Sequence, residues 1–168
     1  MGVSAPTIKN YMDILEGAFV LRSLRPFHTN TKKRLIKSPK LYIRDTGIIH
    51  CLLGIESYND LLGHPGLGGS FEAFVIGNLI EKYSRFEPSY YRSSNGAELD
   101  LILTKGEEKI AIEIKTSSAP KVTQGFYESL KVIKPTKAMV IAPVKESFPL
   151  RNDIWVHNLQ HIINSEEV

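Results

Sequence analysis

Two short stretches, AELDLILT (97–104) and KIAIEIK (109–115), constrain this chain more than anything else in it. Each alternates apolar side chains with other residues at a period of two, the pattern of a strand with one face buried. In the first, Ala97, Leu99, Leu101 and Leu103 share one face, and Glu98, Asp100 and Ile102 the other. In the second, Ile110, Ile112 and Ile114 oppose Lys109, Ala111, Glu113 and Lys115. Lys105-Gly106-Glu107-Glu108 is a connection of hairpin length. A four-residue loop pairs 104 with 109, and counting back sets Asp100 opposite Glu113. Directly opposed residues have Cβ atoms roughly 4.5–5.5 Å apart, where like charges repel. A divalent cation between them removes the repulsion, because Mg²⁺ favours one or two carboxylates plus waters and phosphate oxygens. Lys115 shares Glu113's face, where its ammonium could orient an attacking water or stabilise charge developing on a phosphate. A solvated strand face with a chance acid pair is the alternative for the hairpin taken alone.

Glu72 adds a third acid. On a helical wheel for 70–84, Phe71, Val75, Ile76, Leu79, Ile80 and Tyr83 surround one direction, and Glu72 falls inside that apolar arc. An unpaired carboxylate there is costly to bury, so it is expected to face something cationic at the end of the sheet. A Glu favoured near a helix start by the macrodipole accounts for its position but not for its face.

The remaining order is read from periodicity and punctuation. Residues 4–16 form a helix with Ser4 as N-cap, Pro6 in the first turn, and Ile8, Tyr11, Met12 and Leu15 on one face. Strands over 18–27 and 41–45 flank the turn-rich segment HTNTKKRLIKSPK as a long hairpin or wing. Helical residues 46–62 follow, and HPGLGG (64–69) is the best candidate boundary, without the Gly-Lys-Ser/Thr of a phosphate loop. Then come a helix (70–84), strands 89–93, 97–104 and 108–115, a helix (121–133), and strand 137–142. A last strand runs through 153–157, with a short tail beyond it. The domain reading is a partial winged helix-turn-helix-like lobe over 1–45, a helical linker over 46–69, and an α/β domain over 70–168.

Charge narrows the partners. The net charge is only +3, yet eight Lys/Arg and no acid lie between Arg22 and Arg44. Lys32, Lys33, Arg34 and Lys37 there, with Lys9 on the first helix, are the candidate DNA-contacting residues; an ordinary basic surface hairpin is the competing reading. A single cysteine, Cys51, excludes a disulfide framework and a zinc cluster, and it reads as a lone buried thiol. His157 and His161 read as part of a surface tail. With no transmembrane run and no signal peptide, a cytoplasmic protein without a membrane partner is expected.

Glu72 on a helix, then Asp100, then Glu113-Ile114-Lys115 resemble the PD-(D/E)xK, or restriction-endonuclease-like, superfamily. That resemblance implies a mixed sheet flanked by helices, and Mg²⁺, or Mn²⁺, bound by Asp100, Glu113 and Glu72. It also implies a hydrolytic role for Lys115 and a polar residue on the following helix, for which Gln124 is the candidate; Glu98 would be a supporting acid. Leu99 stands where the motif's name has Pro. The combination of SAPTIKNYMDILEGAFVLRSLRPF, LYIRDTGIIHCLLG, GSFEAFVIGNLI and AELDLIL…IAIEIKTS is similar to the uncharacterised C-terminal domains that follow the ATPase module of prokaryotic AAA+ proteins. An ATPase domain upstream is therefore an expected partner, beside DNA and a second copy, while this stretch has no ATP-binding motif of its own. Two functions stay open: a metal-dependent endodeoxyribonuclease-like hydrolase, or a catalytically silent DNA- or partner-binding module regulating the attached ATPase. A purely structural cation site is a third use of the acids.

Overall fold

A computed structural model describes residues 2–28, 38–151 and 153–165. The chain opens with α1 (Ala5–Gly17), the strands β1 (Leu21–Leu24) and β2 (Lys40–Ile43), and the short helices α2 (Thr46–Leu52) and α3 (Tyr58–Gly63). There follow α4 (Leu67–Lys82), β3 (Glu87–Arg92), β4 (Glu98–Lys105), β5 (Glu108–Ile114), α5 (Gln124–Ile133) and β6 (Lys137–Ile141). The chain continues through β7 (Phe148–Arg151), β8 (Ile154–His157) and α6 (Leu159–Asn164). Six strands make one mixed sheet in the order β3-β4-β5-β6-β8-β7, parallel at β5/β6 and β6/β8 and antiparallel elsewhere. The α/β class expected from the sequence is the class observed.

Both faces of this sheet are covered, which is why β4 and β5 are apolar on both sides. Val75, Ile76 and Leu79 of α4 pack with Leu101, Leu103, Ile110, Ile112 and Ile114, and Ile162 of α6 joins them. Phe126 and Ile133 of α5 pack on the other face with Leu99, Ile102, Ala111, Val140 and Val156. Removing such side chains from water contributes about 1.5–3 kcal/mol each, so these two layers dominate the stability. Lys82 of α4 reaches the carbonyls of Ile163 (3.2 Å) and Ser165, fastening the C-terminal end of α6 where the helix dipole favours a cation.

The N-terminal hairpin β1–β2 does not stand apart from this core. Leu24 is 1% exposed within the α4-side cluster, and Tyr42 packs against the same cluster. Just past β1, the Tyr90 N–H donates to the Arg25 carbonyl at 3.0 Å and the Phe27 N–H to the Tyr90 carbonyl, tying the lobe to the edge strand β3. By contrast, α1 buries none of its residues, and Ile8, Tyr11, Ile14 and Leu15 remain exposed.

Several local expectations are corrected. The helix read from residue 70 begins at Leu67, so Gly68 and Gly69 of HPGLGG lie in its first turn. The paired strands of the first hairpin span 21–24 and 40–43, shorter than read from the sequence, and Phe19 just ahead of them takes a left-handed φ of 60°. Cys51 is exposed, not buried. The stretch read as a tail holds α6, and His161 of that helix stacks on His157 at the end of β8 with ring centroids 5.1 Å apart. Strand β7, four residues long with a proline inside it and largely exposed, is not among the strands read from the sequence.

Candidate functional site

The β4–β5 hairpin has the register read from its sequence, with Thr104 opposite Lys109. Pairing continues one step further, Lys105 to Glu108, which leaves a two-residue turn with Gly106 at φ 59°. Positive φ at the first turn position is where a tight hairpin needs glycine. Toward the other end, the paired ladder stops at Leu101–Ile112. There Asp100 replaces a ladder bond: its Oδ2 accepts the Ile114 N–H at 2.9 Å. The next N–H, that of Lys115, turns the opposite way and donates to Ile141 of β6 at 2.9 Å.

Asp100 reaches this position through a bulge that alternation alone does not reveal. Ser89 pairs with Ile102 but Tyr91 pairs with Leu99, so Asp100 and Leu101 together oppose the single residue Tyr90. Leu99 is thereby turned to the α5 side with Ile102, not to the α4 side with Leu101. The strict two-residue pattern assigned to 97–103 therefore fails at Ala97 and Leu99, which lie on the α5 side while Leu101 and Leu103 lie on the α4 side. The extra residue shifts the phase of the strand beside the acid, and bulges of this kind recur next to functional sites because they re-aim a side chain.

Three acids surround one ammonium. Lys40 Nζ lies 2.8 Å from Glu98 Oε1, 3.0 Å from Glu72 Oε1 and 3.4 Å from Asp100 Oδ1. The Tyr42 hydroxyl donates to the same Glu72 oxygen at 2.6 Å. Arg92 Nε stands 3.4 Å from the second oxygen of Glu98. The Tyr90 ring lies under the Lys40 ammonium, 5.4 Å to its centroid, and the Tyr90 hydroxyl donates to the Ser38 carbonyl. Burial disfavours the Lys40 charge, but Glu72, Glu98 and Asp100 outweigh that and raise its pKa above the ordinary lysine value. Burial and the bond to ionised Glu72 raise the Tyr42 pKa, so Tyr42 acts as a donor.

Glu113 and Lys115 form the neighbouring half of the site. Lys115 Nζ donates to Glu113 Oε1 at 2.6 Å. The other oxygen, Oε2, is buried and has no hydrogen-bond partner among the described residues. Burial and the nearby Asp100 charge push the Glu113 pKa up to about 7. Asp100 is also raised, by burial and then by Glu72. Lys115 is desolvated, yet its bond to Glu113 and the acids around it raise its pKa overall. Among the described residues no three His, Cys, Asp or Glu side chains are gathered tightly enough to hold a metal ion as they stand. Asp100 and Glu113 nevertheless form a hard-oxygen pair with an orphan oxygen, a fit to a divalent cation that keeps most of its waters.

The sequence-read site is thus placed as follows. Glu72, Glu98 and Asp100 meet at Lys40, while Glu113 and Lys115 bond to each other beside Asp100. Gln124, the first residue of α5, is exposed and Gly125 beside it is close-packed: a Cβ there would meet Gly96 O and Ala97 Cα at 3.2 Å. That contact sets the start of α5 against the turn leading into β4. Lys9 is exposed on α1. Lys32, Lys33, Arg34 and Lys37 lie outside the described residues. The residues missed from sequence are Lys40 and Tyr42. Their signal was present in the i, i+2 spacing on β2, which puts both on one strand face, but Lys40 was counted with the basic run.

Two family profiles of unknown function match parts of the chain. Residues 1–59 match the profile described as Domain of unknown function (DUF8612). The uncharacterized proteins Rv2008c of Mycobacterium tuberculosis and Mb2031c of Mycobacterium bovis are each 34% identical over the whole of this chain. The chain spans 38% of the length of these relatives. Among solved structures, the assembly of Thermococcus gammatolerans McrB AAA+ hexamers with bound McrC contains a chain that aligns at TM-score 0.40 and 8% identity. That alignment covers 88% of this chain and 59% of the other. The profile described as Domain of unknown function (DUF4143) matches residues 67–162, the span of α4 and of the sheet that carries Glu72, Asp100, Glu113 and Lys115, and the chain belongs to that family.

Proposed function

We propose that this chain carries a metal-dependent site for hydrolysing DNA phosphodiesters, within a longer protein that includes an AAA+ ATPase domain. The observation that carries the reading is Glu113: a buried carboxylate with one oxygen on Lys115, the other unpartnered, and Asp100 repelling it. A buried polar atom without a partner costs about 1–3 kcal/mol, more when charged, so its retention calls for a use. Asp100 and Glu113 would hold Mg²⁺ or Mn²⁺. When bound there, the ion would supply Lewis acidity toward a phosphoryl oxygen and lower the pKa of a water.

The chain's own residues do the rest. Asp100 is fixed by the Ile114 N–H, so its free lone pairs point in a set direction. Lys115, anchored through its backbone to β6, keeps an ammonium beside Glu113, where it can donate to an attacking water or to a charged phosphate oxygen. Glu72 acts through Lys40 and Tyr42, which hold it against the hairpin. Basic residues between 22 and 44, with Lys9, would hold DNA through its phosphates, giving affinity that falls with salt. The link to an ATPase rests on the sequence resemblance, and the greater length of the relatives leaves room for such a domain.

A second reading is favoured by Lys40. Its ammonium already pairs with Glu72, Glu98 and Asp100 and occupies the space between them, as a site used for binding rather than turnover could. The chain would then be a silent DNA- or partner-binding module that regulates the ATPase. Incubating plasmid and single-stranded DNA with Mg²⁺ or Mn²⁺ separates the two. Cleavage by the wild type that is lost in Asp100→Ala and Lys115→Ala supports hydrolysis. Salt-sensitive binding without cleavage of any substrate supports the silent module, and cleavage that survives Asp100→Ala removes the site assignment.

A further inference from the structure

We infer that Lys40 is a resident cation of the site, delivered by the N-terminal hairpin, and that it excludes a divalent ion from the position between Glu72, Glu98 and Asp100. Three separate segments meet at this one ammonium: β2 supplies Lys40, α4 supplies Glu72, and β4 supplies Glu98 and Asp100. All three carboxylates lie within 3.4 Å of it. The approach of β2 is fixed on every side. Tyr42, two residues on, bonds the same Glu72 oxygen; the Tyr90 ring underlies the ammonium; and the Tyr90 hydroxyl holds the chain two residues before Lys40. Tyr90 is also the residue opposite the bulge that turns Asp100 toward this side.

A primary ammonium and a divalent cation compete for such a position because both take oxygen ligands at short range. The Lys40 contacts of 2.8–3.4 Å are longer than the roughly 2.1 Å of a Mg²⁺–oxygen bond, so the acids surround the ammonium without closing to metal distance. Drawing them in requires rotamer changes of Glu72 and Glu98, whose side chains are 24% and 32% exposed and have room to move. With Lys40 in place that closure is blocked. Asp100 and Glu113 are then left as the pair open to an ion, and the site takes one divalent cation on that side. Lys40 is accordingly a positioning residue: it orders Glu72 and Asp100 and sets how many ions the site accepts.

The inference builds on the proposed site, but it is read by counting bound ions, not by cleavage. A chain that never cuts DNA leaves it standing, and a chain that cuts DNA can still refute it. The probe is Mn²⁺ counted by electron paramagnetic resonance on wild type, Lys40→Gln and Lys40→Arg. The neutral variant is expected to bind one Mn²⁺ more than wild type, the Arg variant the wild-type number, and Lys40→Gln with Glu72→Gln to lose the extra ion. An unchanged count in Lys40→Gln, or an extra ion that persists when Glu72 is also neutralised, overturns the inference. Removing one partner from a buried charge cluster can also unfold a protein. A Lys40→Gln chain that is unfolded in chelator should therefore refold on adding Mn²⁺, since an ion that binds only the folded state stabilises it. One that stays unfolded with Mn²⁺ present refutes the idea equally.

Discussion

Replacing Glu113 by Gln should make the protein more stable at pH 8 and leave it nearly unchanged at pH 4. The Glu113 pKa rises from its ordinary 4.5 to about 7 in the fold, by burial and then by the charge of Asp100. Between these values the native state holds a proton that the unfolded chain has released, so wild-type stability falls as pH rises through that window. Each pH unit of the interval is worth about 1.4 kcal/mol, which makes the full loss about 3 kcal/mol above pH 7. That is a large share of a typical domain stability of about 5–15 kcal/mol. Gln keeps the shape and an oxygen for Lys115 while removing the charge. The difference between variant and wild type should open from near zero at pH 4 to about 3 kcal/mol in favour of the variant at pH 8. Urea unfolding followed by circular dichroism at pH 4, 5, 6, 7 and 8 measures it, and a difference of this size moves the midpoint by about 1–3 M. A difference that does not change with pH, or a variant less stable at pH 8, would refute the reasoning: Glu113 would then be no desolvated acid paying for its charge.

Mg²⁺ or Mn²⁺ should raise the wild-type melting temperature more at pH 8 than at pH 5, because protons compete for the same oxygens; the shift should vanish in Glu113→Gln and Asp100→Asn, as read by differential scanning fluorimetry. Tyr42→Phe removes a bond to an ionised acceptor and should destabilise by about 1.5–3 kcal/mol, with unchanged far-ultraviolet circular dichroism; no loss would mean that the hydroxyl does not hold Glu72. Gly125→Ala places a Cβ 3.2 Å from two backbone atoms and should destabilise by about 1–3 kcal/mol in urea titration. The neighbouring Gln124→Ala, at an exposed position, should stay within about 0.5 kcal/mol of wild type.

The parts of the site that could be read from sequence are those set by local periodicity. The register of β4 against β5 follows from a short turn between two alternating strands; Asp100 and Glu113 lie one step beyond the last paired residues, Leu101 and Ile112, so their closeness, though not a ladder pair, was available from counting residues. Glu72 was available because an acid inside an apolar helical arc needs a partner. What was not available depends on structure between elements. The bulge opposite Tyr90 is an irregularity of pairing with β3, and nothing in 97–103 alone announces it. The helix start at Leu67 ran against the low helical propensity of Gly68 and Gly69, which packing of Val75, Ile76 and Leu79 on the sheet overrides. Lys40 carried a basic-segment label since its acidic partners lie 32 to 60 residues away.

That last failure bears on how the chain divides. The two matched profiles split it between residues 59 and 67, with Lys40 and Tyr42 on one side and Glu72, Glu98, Asp100 and Glu113 on the other. The site does not respect this division. Glu72 has its partners on β2, Asp100 faces Lys40, and Leu24 of β1 sits in the core that α4 closes. A fragment beginning at residue 67 would keep Glu113 and Lys115 but release Glu72, Glu98 and Asp100 from their common cation. Three partly buried acids without it would repel one another, and the end of β4 at the bulge is where that repulsion would act. The N-terminal hairpin is thus part of the electrostatic closure of the acid cluster, so whatever moves that hairpin also changes the charge that surrounds Asp100.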